Sequence, residues 1–241
     1  MESVLDPVAV EGLVEQYQLG VTKAGDVISF QIDREGRCRT GKVMKYDPVT
    51  GHRIKDDSSI CPVTWIHALM KRRGLLPEEW ALSQCLFGEH LLLRYPDRTV
   101  ALVESEKTAV ICAGFIPEYV LLATGGKTSL CNKLDVLSGR KVVAYPDIDA
   151  YDYWHERLVD YPNIIISDYL QKVAGGDPSS SHMDLADLIL DSLKKNGTVQ
   201  NPTFVQVKRF ISPKYHPEVE ALIDDLDLKL SATMILDNQN N

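Results

Sequence analysis

The chain has 241 residues, 44% of them hydrophobic and 25% charged, with a formal net charge of −8. This is the balance of an ordinary globular protein, long enough for one large domain or two small ones. It excludes a membrane span, since no apolar run is long enough to cross a bilayer. MESVLDPVAV also lacks the basic start and apolar stretch of a signal peptide, so the expected compartment is the cytoplasm. The five cysteines (Cys38, Cys61, Cys85, Cys112 and Cys131) are scattered without a CxxC pair, which excludes a zinc knuckle and a disulfide framework. An acidic sum does not mark a general nucleic-acid binder. A metal enzyme, however, keeps carboxylates in its site, and local patches count for more than the total.

In chain order, residues 7–19 carry apolar side chains at helical spacing that ends at Gly20. Strands are predicted over Val27 to Asp33 and Lys42 to Tyr46, with turns at Arg34-Glu35-Gly36 and at Asp47 to Gly51. Helices are predicted over residues 65–73 and 77–84, the second opening on Pro77. Residues 1–97 form an α+β module closed by the Tyr95-Pro96-Asp97 turn. The pattern then changes to short apolar runs (99–104, 119–126, 141–149 and 163–170) alternating with helical segments (105–115, 128–137 and 150–161). That alternation predicts a parallel α/β sheet buried on both faces, in a domain over 98–200. Residues 174–184 are a loop, 185–196 an amphipathic helix, and HPEVEALIDDLDLKL a further helix in a tail over 201–241.

The acidic groups fall at informative places. Glu104 ends the first α/β run, and Asp147 and Asp149 end the third. Ligands of open parallel sheets bind beyond the carboxyl ends of the strands. Asp-x-Asp on an extended strand end puts both carboxylates on one face. Three carboxylates gathered there repel one another unless a cation neutralises them, and oxygen donors without His or Cys favour Mg2+ or Mn2+. Taken singly, each is more often a turn or helix-cap residue, and it is their joint placement at two strand ends of one sheet that points to a site.

ALVESEKTAVICAGF, VLLATGGKTSL and KVVAYPDIDAYDYW together resemble the Toprim domain, over roughly residues 98–170. This domain is shared by bacterial-type primases, phage primase-helicases, topoisomerases and some nucleases. The resemblance implies a Toprim-like parallel sheet flanked by helices. It gives Glu104 the place of the family's general acid/base or metal-binding glutamate, and Asp147 and Asp149 that of its metal-binding pair. MDLADLIL resembles the segment that supplies a further acidic group, with Asp184 the candidate and Asp187 the second. The alternative is that both are simple helix N-terminal acids. The chain departs from the family at Ser105, where Gly is usual, and at Ala150-Tyr151. GDVISFQIDREGRCRTGKVMKYDP and CLFGEHLL resemble the primase core that precedes Toprim, which favours a primase over a topoisomerase.

Residues 30–55 hold seven basic side chains against three acids. Arg37, Arg39, Lys42 and Lys45 on such a hairpin form either a track for a phosphate backbone or a solvated face that protects the sheet edge. Lys127, after Gly125-Gly126, is placed to meet a phosphate or is a plain surface lysine. GGKTS lacks the first glycine of a phosphate loop, which excludes an ATPase motor. The six histidines show no metal spacing. Tyr145, Tyr151, Tyr153 and Trp154 surround the aspartates, as base-stacking or as packing groups.

The resemblance therefore implies a primase-like nucleotidyltransferase. It would make short primers on single-stranded DNA from nucleoside triphosphates with Mg2+, without a helicase motor of its own, in the setting of a mobile element. This sequence carries no zinc-binding domain of the kind usual in bacterial primases, so the chain either lacks site selection, gets it from a partner such as a helicase or zinc-domain protein, or is a fragment of a longer protein. The alternatives are a non-catalytic nucleic-acid-binding replication adaptor and a Toprim nuclease.

Overall fold

The computed structural model describes residues 5, 7–54, 63–130, 133–175, 182–195 and 228–230, with backbone alone at 192–195 and 228–230. Two sheets organise the chain. The first is antiparallel. Helix α1 (Pro7–Gln16) leads through Gln18, at φ 49°, into β1 (Leu19–Thr22), followed by β2 (Val27–Ile32), β3 (Cys38–Met44) and the two-residue β4 (Thr64–Trp65). A last strand, β9 (Leu228–Leu230), pairs with β1, giving the order β4-β3-β2-β1-β9. β2 and β3 are rich in residues that suit a pleated surface, and Gly36, at φ 81°, makes their turn.

The second sheet comes from β5 (Val100–Val103), β6 (Val120–Ala123), β7 (Val142–Tyr145) and β8 (Ile164–Ile166), all parallel in the order β6-β5-β7-β8. β5 and β6 are buried at every position, as expected of strands covered on both faces. The connections are α4 (Glu106–Phe115) and α5 (Tyr151–Leu158), with α6 (Tyr169–Ala174) and α7 (Leu185–Lys195) following β8. The short helices α2 (Ile66–Arg72) and α3 (Leu91–Arg94) lie between the sheets in sequence. The chain is thus α/β, a parallel sheet flanked by helices and preceded by a smaller α+β element, as the sequence predicts.

α4 is buried from Thr108 to Gly114. Gly114 lets α1 approach it closely, because a Cβ there would stand 2.8 Å from a methyl of Leu5. Tyr17 stacks on Phe87 at 5.2 Å and donates its hydroxyl to the Leu121 carbonyl at 3.0 Å. Phe87 in turn bridges to Ala123, covering the outer edge of β6. The larger apolar core therefore runs from Leu5 to Ala186, while Ile28, Phe30, Ile32, Val43 and Ile66 form a smaller one on the hairpin.

Several elements differ from expectation. Residues 77–84 are not helical. A single turn closes from Trp80 N–H to the Pro77 carbonyl at 3.1 Å and does not propagate, because Trp80 stacks on His67 instead. Such a short segment gains little from helix nucleation alone. Residues 128–130 are also non-helical, and only Asp135–Leu137 makes a 3₁₀ turn. β1 replaces the end of the predicted first helix, and β3 starts at Cys38, earlier than predicted. Of the predicted C-terminal helix, Leu228–Leu230 is strand, held by the open edge of β1, and the rest lies outside the described residues. Lys55, Cys61, Cys131 and most of the 201–241 tail also lie outside them.

Candidate metal and phosphate site

The chain order of the parallel sheet sets the location. β5 connects to β6 on one side, and β7 to β8 on the other, so the direction of winding reverses between β5 and β7. Open parallel sheets bind their ligands beyond the carboxyl ends of the strands at such a point. Register pairs Val103 with Tyr145. Glu104 follows the first directly, and Asp147 follows the second after Pro146.

Glu104 holds the glycine loop through its backbone: its carbonyl accepts from Gly125 N–H at 3.0 Å and from the Thr124 hydroxyl at 3.4 Å. Its side-chain Oε2 is buried without a hydrogen-bond partner. Burial, then the charge of Asp149, raises the Glu104 carboxyl above its usual range. Asp147 is raised more, to about 8, by burial and then by Glu104, Asp184, Asp149 and Asp187. A carboxylate cluster of this kind carries unbalanced negative charge.

Asp149 does not face the same way as Asp147. The Asp-x-Asp segment is not extended: Ile148–Ala150 is a 3₁₀ turn, closed from Ala150 N–H to the Asp147 carbonyl at 2.9 Å. The turn carries Asp149 outward to Lys127, whose ammonium donates to the Asp149 carbonyl and lies 3.5 Å from its carboxylate. Among the described residues no three His, Cys, Asp or Glu side chains stand close enough to form a ready coordination sphere. The donors nonetheless suit a hard cation: all are oxygens, one is an orphaned carboxylate oxygen, and the charge of Asp149 adds to burial in raising both Glu104 and Asp147. Glu104, Asp147 and Asp149 are the residues that would hold it.

Asp184 is brought near but is committed elsewhere. Its Oδ2 accepts from the Thr108 hydroxyl at 2.6 Å, and its Oδ1 from Asp187 N–H at 2.9 Å. Asp187 returns a bond to Asp184 N–H at 3.2 Å, a reciprocal cap on α7. This is the helix-cap arrangement left open by the sequence. Ser105, where Gly is usual in Toprim, caps α4 by accepting from Thr108 N–H at 3.1 Å.

The basic ribbon divides. Arg37 and Arg39 both donate to Asp33, at 2.8 and 2.7 Å, and those bonds hold the Asp33 carboxyl below its ordinary range although burial acts to raise it. Lys45 is exposed, whereas Lys42 is buried. The Lys42 ammonium bonds Glu106 at 3.0 Å and the Gly125 carbonyl at 2.9 Å, tying β3 to the glycine loop. Lys133, also buried, reaches the Thr124 carbonyl at 2.9 Å. Trp154 is fully buried and donates to the Lys127 carbonyl at 3.1 Å, so it packs rather than stacks bases.

Sequence reasoning missed Glu106, Lys133 and Gln31. Gln31 is 1% exposed, with neither amide atom bonded. Glu106 Oε1 is likewise orphaned, 3.2 Å from where a Cβ on Gly125 would stand, which, with φ 89°, accounts for glycine there. The signal was present in the β2–β3 alternation, which sets Gln31 and Lys42 among apolar neighbours.

Fold and site together define an α/β protein with an acidic cluster at the switch point of a parallel sheet. The chain belongs to the DUF6371 family, a domain of unknown function, whose model matches residues 1–148. That span includes Glu104 and Asp147 and stops short of Asp149. No curated protein matches the sequence. Among solved structures, the chain is similar to the primase fragment of the Bacteriophage T7 primase-helicase protein. The TM-score is 0.48 at 11% identity, covering 77% of this chain and 66% of that one. It is also similar to the DnaG primase catalytic domain bound to ssDNA, with a TM-score of 0.38 at 13% identity, covering 91% of this chain and 61% of that one. The chain thus spans less than two-thirds of either match. Among the described residues no helix is long and apolar enough to cross a membrane.

Proposed function

We propose that the chain is a primase-like protein that acts on nucleic-acid phosphates with Mg2+ or Mn2+ held by Glu104, Asp147 and Asp149. The observation that carries this reading is the pair Glu104 and Asp147 at the switch point, one with an orphaned buried oxygen and the other with a carboxyl raised to about 8. Bound there, the ion would neutralise phosphate oxygens of a nucleoside triphosphate and favour attack by a 3′-hydroxyl. The chain's own groups supply the rest. Lys127 has its ammonium beside the cluster, on a loop held by Trp154 and Glu104, and meets a phosphate when it leaves Asp149. Lys42 and Lys133 hold the back of the glycine loop and so fix where its backbone lies. The substrates are single-stranded DNA and nucleoside triphosphates, and a helicase or zinc-domain protein is the proposed partner.

The second reading, a non-catalytic nucleic-acid-binding adaptor, draws on the contact between Lys127 and Asp149, which neutralises one carboxylate without a metal. Nucleotide incorporation on single-stranded DNA with Mg2+ or Mn2+ separates the two. Labelled primers are expected from the wild type and from neither Glu104→Gln nor Asp147→Asn. Strand binding by all three proteins with no product from any would refute the enzyme reading and leave the adaptor.

A further inference from the structure

A second site lies on the hairpin, away from the carboxylates. β4 pairs with β3 only at Lys42 and Val43, opposite Trp65 and Thr64. The ladder stops there because Ile66 opens α2. The same register would set Thr40 opposite His67, and these side chains bond at 2.8 Å between the hydroxyl and Nδ1. Beside this interrupted edge is a cavity of about 350 Å³, bounded by Arg39, Thr40, His67, Met70, Pro77 and Trp80 among others. Trp80 and His67 stack with ring centres 5.9 Å apart and planes 23° from parallel, and Trp65 lies 5.8 Å from His67 on a tilted plane.

We propose that this cavity receives a nucleobase of a single-stranded nucleic acid, stacked on Trp80. The proposal rests on the nucleic-acid reading given above. Three features select this ligand. The lining offers a flat aromatic face whose ring partner is fixed by Thr40, and stacking on such a face tolerates any base. The surroundings carry a modest basic excess: Arg39, which also bonds Asp33, borders the cavity, and exposed Lys71, Arg72 and Arg73 lie at the end of the helix that supplies His67 and Met70, against the exposed acids Glu78 and Glu79. Burial lowers the His67 pKa, so its ring is a neutral stacking and hydrogen-bonding group near pH 7. The position is also suitable. Thr40 and Lys42 share one face of β3, and about 7 Å of strand separates them. Both side chains are buried, so β3 links the wall of the cavity to the glycine loop from within the hairpin.

The test is binding of a labelled oligothymidylate in EDTA, read by anisotropy and by tryptophan emission. The wild type is expected to bind with quenching of Trp80. Trp80→Leu, which keeps apolar bulk without a ring, is expected to weaken binding about tenfold or more. Trp80→Phe is expected to restore binding to within about threefold while losing the quenching. Unchanged affinity in Trp80→Leu, with metal-dependent incorporation intact, would overturn the pocket alone. Absence of any strand binding by the wild type would overturn the pocket together with the function it rests on. Should Trp80→Leu not fold, the emission of the wild type still decides: bound strand without a Trp80 signal, defined by difference against Trp80→Phe, refutes the proposal.

Discussion

Asp147→Asn removes the charge that the cluster tolerates least, and its effect follows from the raised carboxyl. A folded-state pKa of about 8 against an ordinary 3.8 means that the native protein holds a proton there which the unfolded chain has released. Stability associated with this group is thus fully present below pH 3.8 and declines until pH reaches about 8. The whole shift corresponds to about 6 kcal/mol at about 1.4 kcal/mol per unit. Relaxation and solvent at a partly exposed carboxyl reduce this to about 2 kcal/mol. In the absence of divalent ions, Asp147→Asn should therefore melt about 4–8 °C above the wild type at pH 8, with the gap closing at pH 4. Millimolar Mg2+ should raise the wild-type melting temperature at pH 8, by mass action on the folded state, and leave Asp147→Asn unmoved. Thermal denaturation monitored by circular dichroism across pH, with and without Mg2+, measures all of this. A variant less stable than the wild type at pH 8 would refute the electrostatic account. Equal Mg2+ stabilisation of both proteins would refute the assignment of Asp147 as a ligand.

Lys127→Met removes the ammonium beside Asp149, so the Mg2+ midpoint in the same melting assay should fall, while affinity for a nucleoside triphosphate weakens. Lys42→Met leaves Glu106 buried without its partner and should cost about 3–5 kcal/mol in urea denaturation, with much of the loss recovered in Lys42→Met/Glu106→Leu. Asp33→Asn breaks the bonds to Arg37 and Arg39. Because the Asp33 carboxyl is held below 3.8, its stabilisation is present above that pH and lost as pH falls further, so the stability gap between wild type and variant should narrow on acidification below that pH, as melting across pH would measure. Asp184→Ala should lower thermal stability by about 1 kcal/mol or more through the lost α7 cap and leave the Mg2+ response in place.

The parallel sheet was legible because strands covered on both faces are continuous apolar runs, and VALV and VLLA have no other use for their side chains. Glu104 and Asp147 could be placed because strand ends in such a sheet converge. The local geometry of Asp149 was not legible, since a 3₁₀ turn after Pro146 replaces the extended spacing assumed for Asp-x-Asp, and only the fold decides that. Trp80 looked helical because Pro77 and the following acids suit a first turn, yet its ring contact with His67 is a tertiary fact. Lys42 looked like part of an exposed ribbon, and its burial depends on Glu106, which lies 64 positions away in sequence. Asp184 and Asp187 show the reverse case, where the plain local interpretation as caps matches the hydrogen bonds.

The two apolar cores are joined in good part by polar contacts: Lys42 to Glu106 and Gly125, Arg34 N–H to Glu89 at 3.3 Å, and His90 N–H to the Ile32 carbonyl at 3.2 Å. A joint of hydrogen bonds has less to lose on opening than a packed apolar seam, so the hairpin is set up as a cooperative unit of its own. Its amides should exchange with solvent deuterium by a sub-global opening that leaves β5 to β7 protected. Because Lys42 anchors the glycine loop from that unit, each such opening also releases the backbone behind Glu104, and the lifetime of the hairpin then limits how long the site keeps its shape.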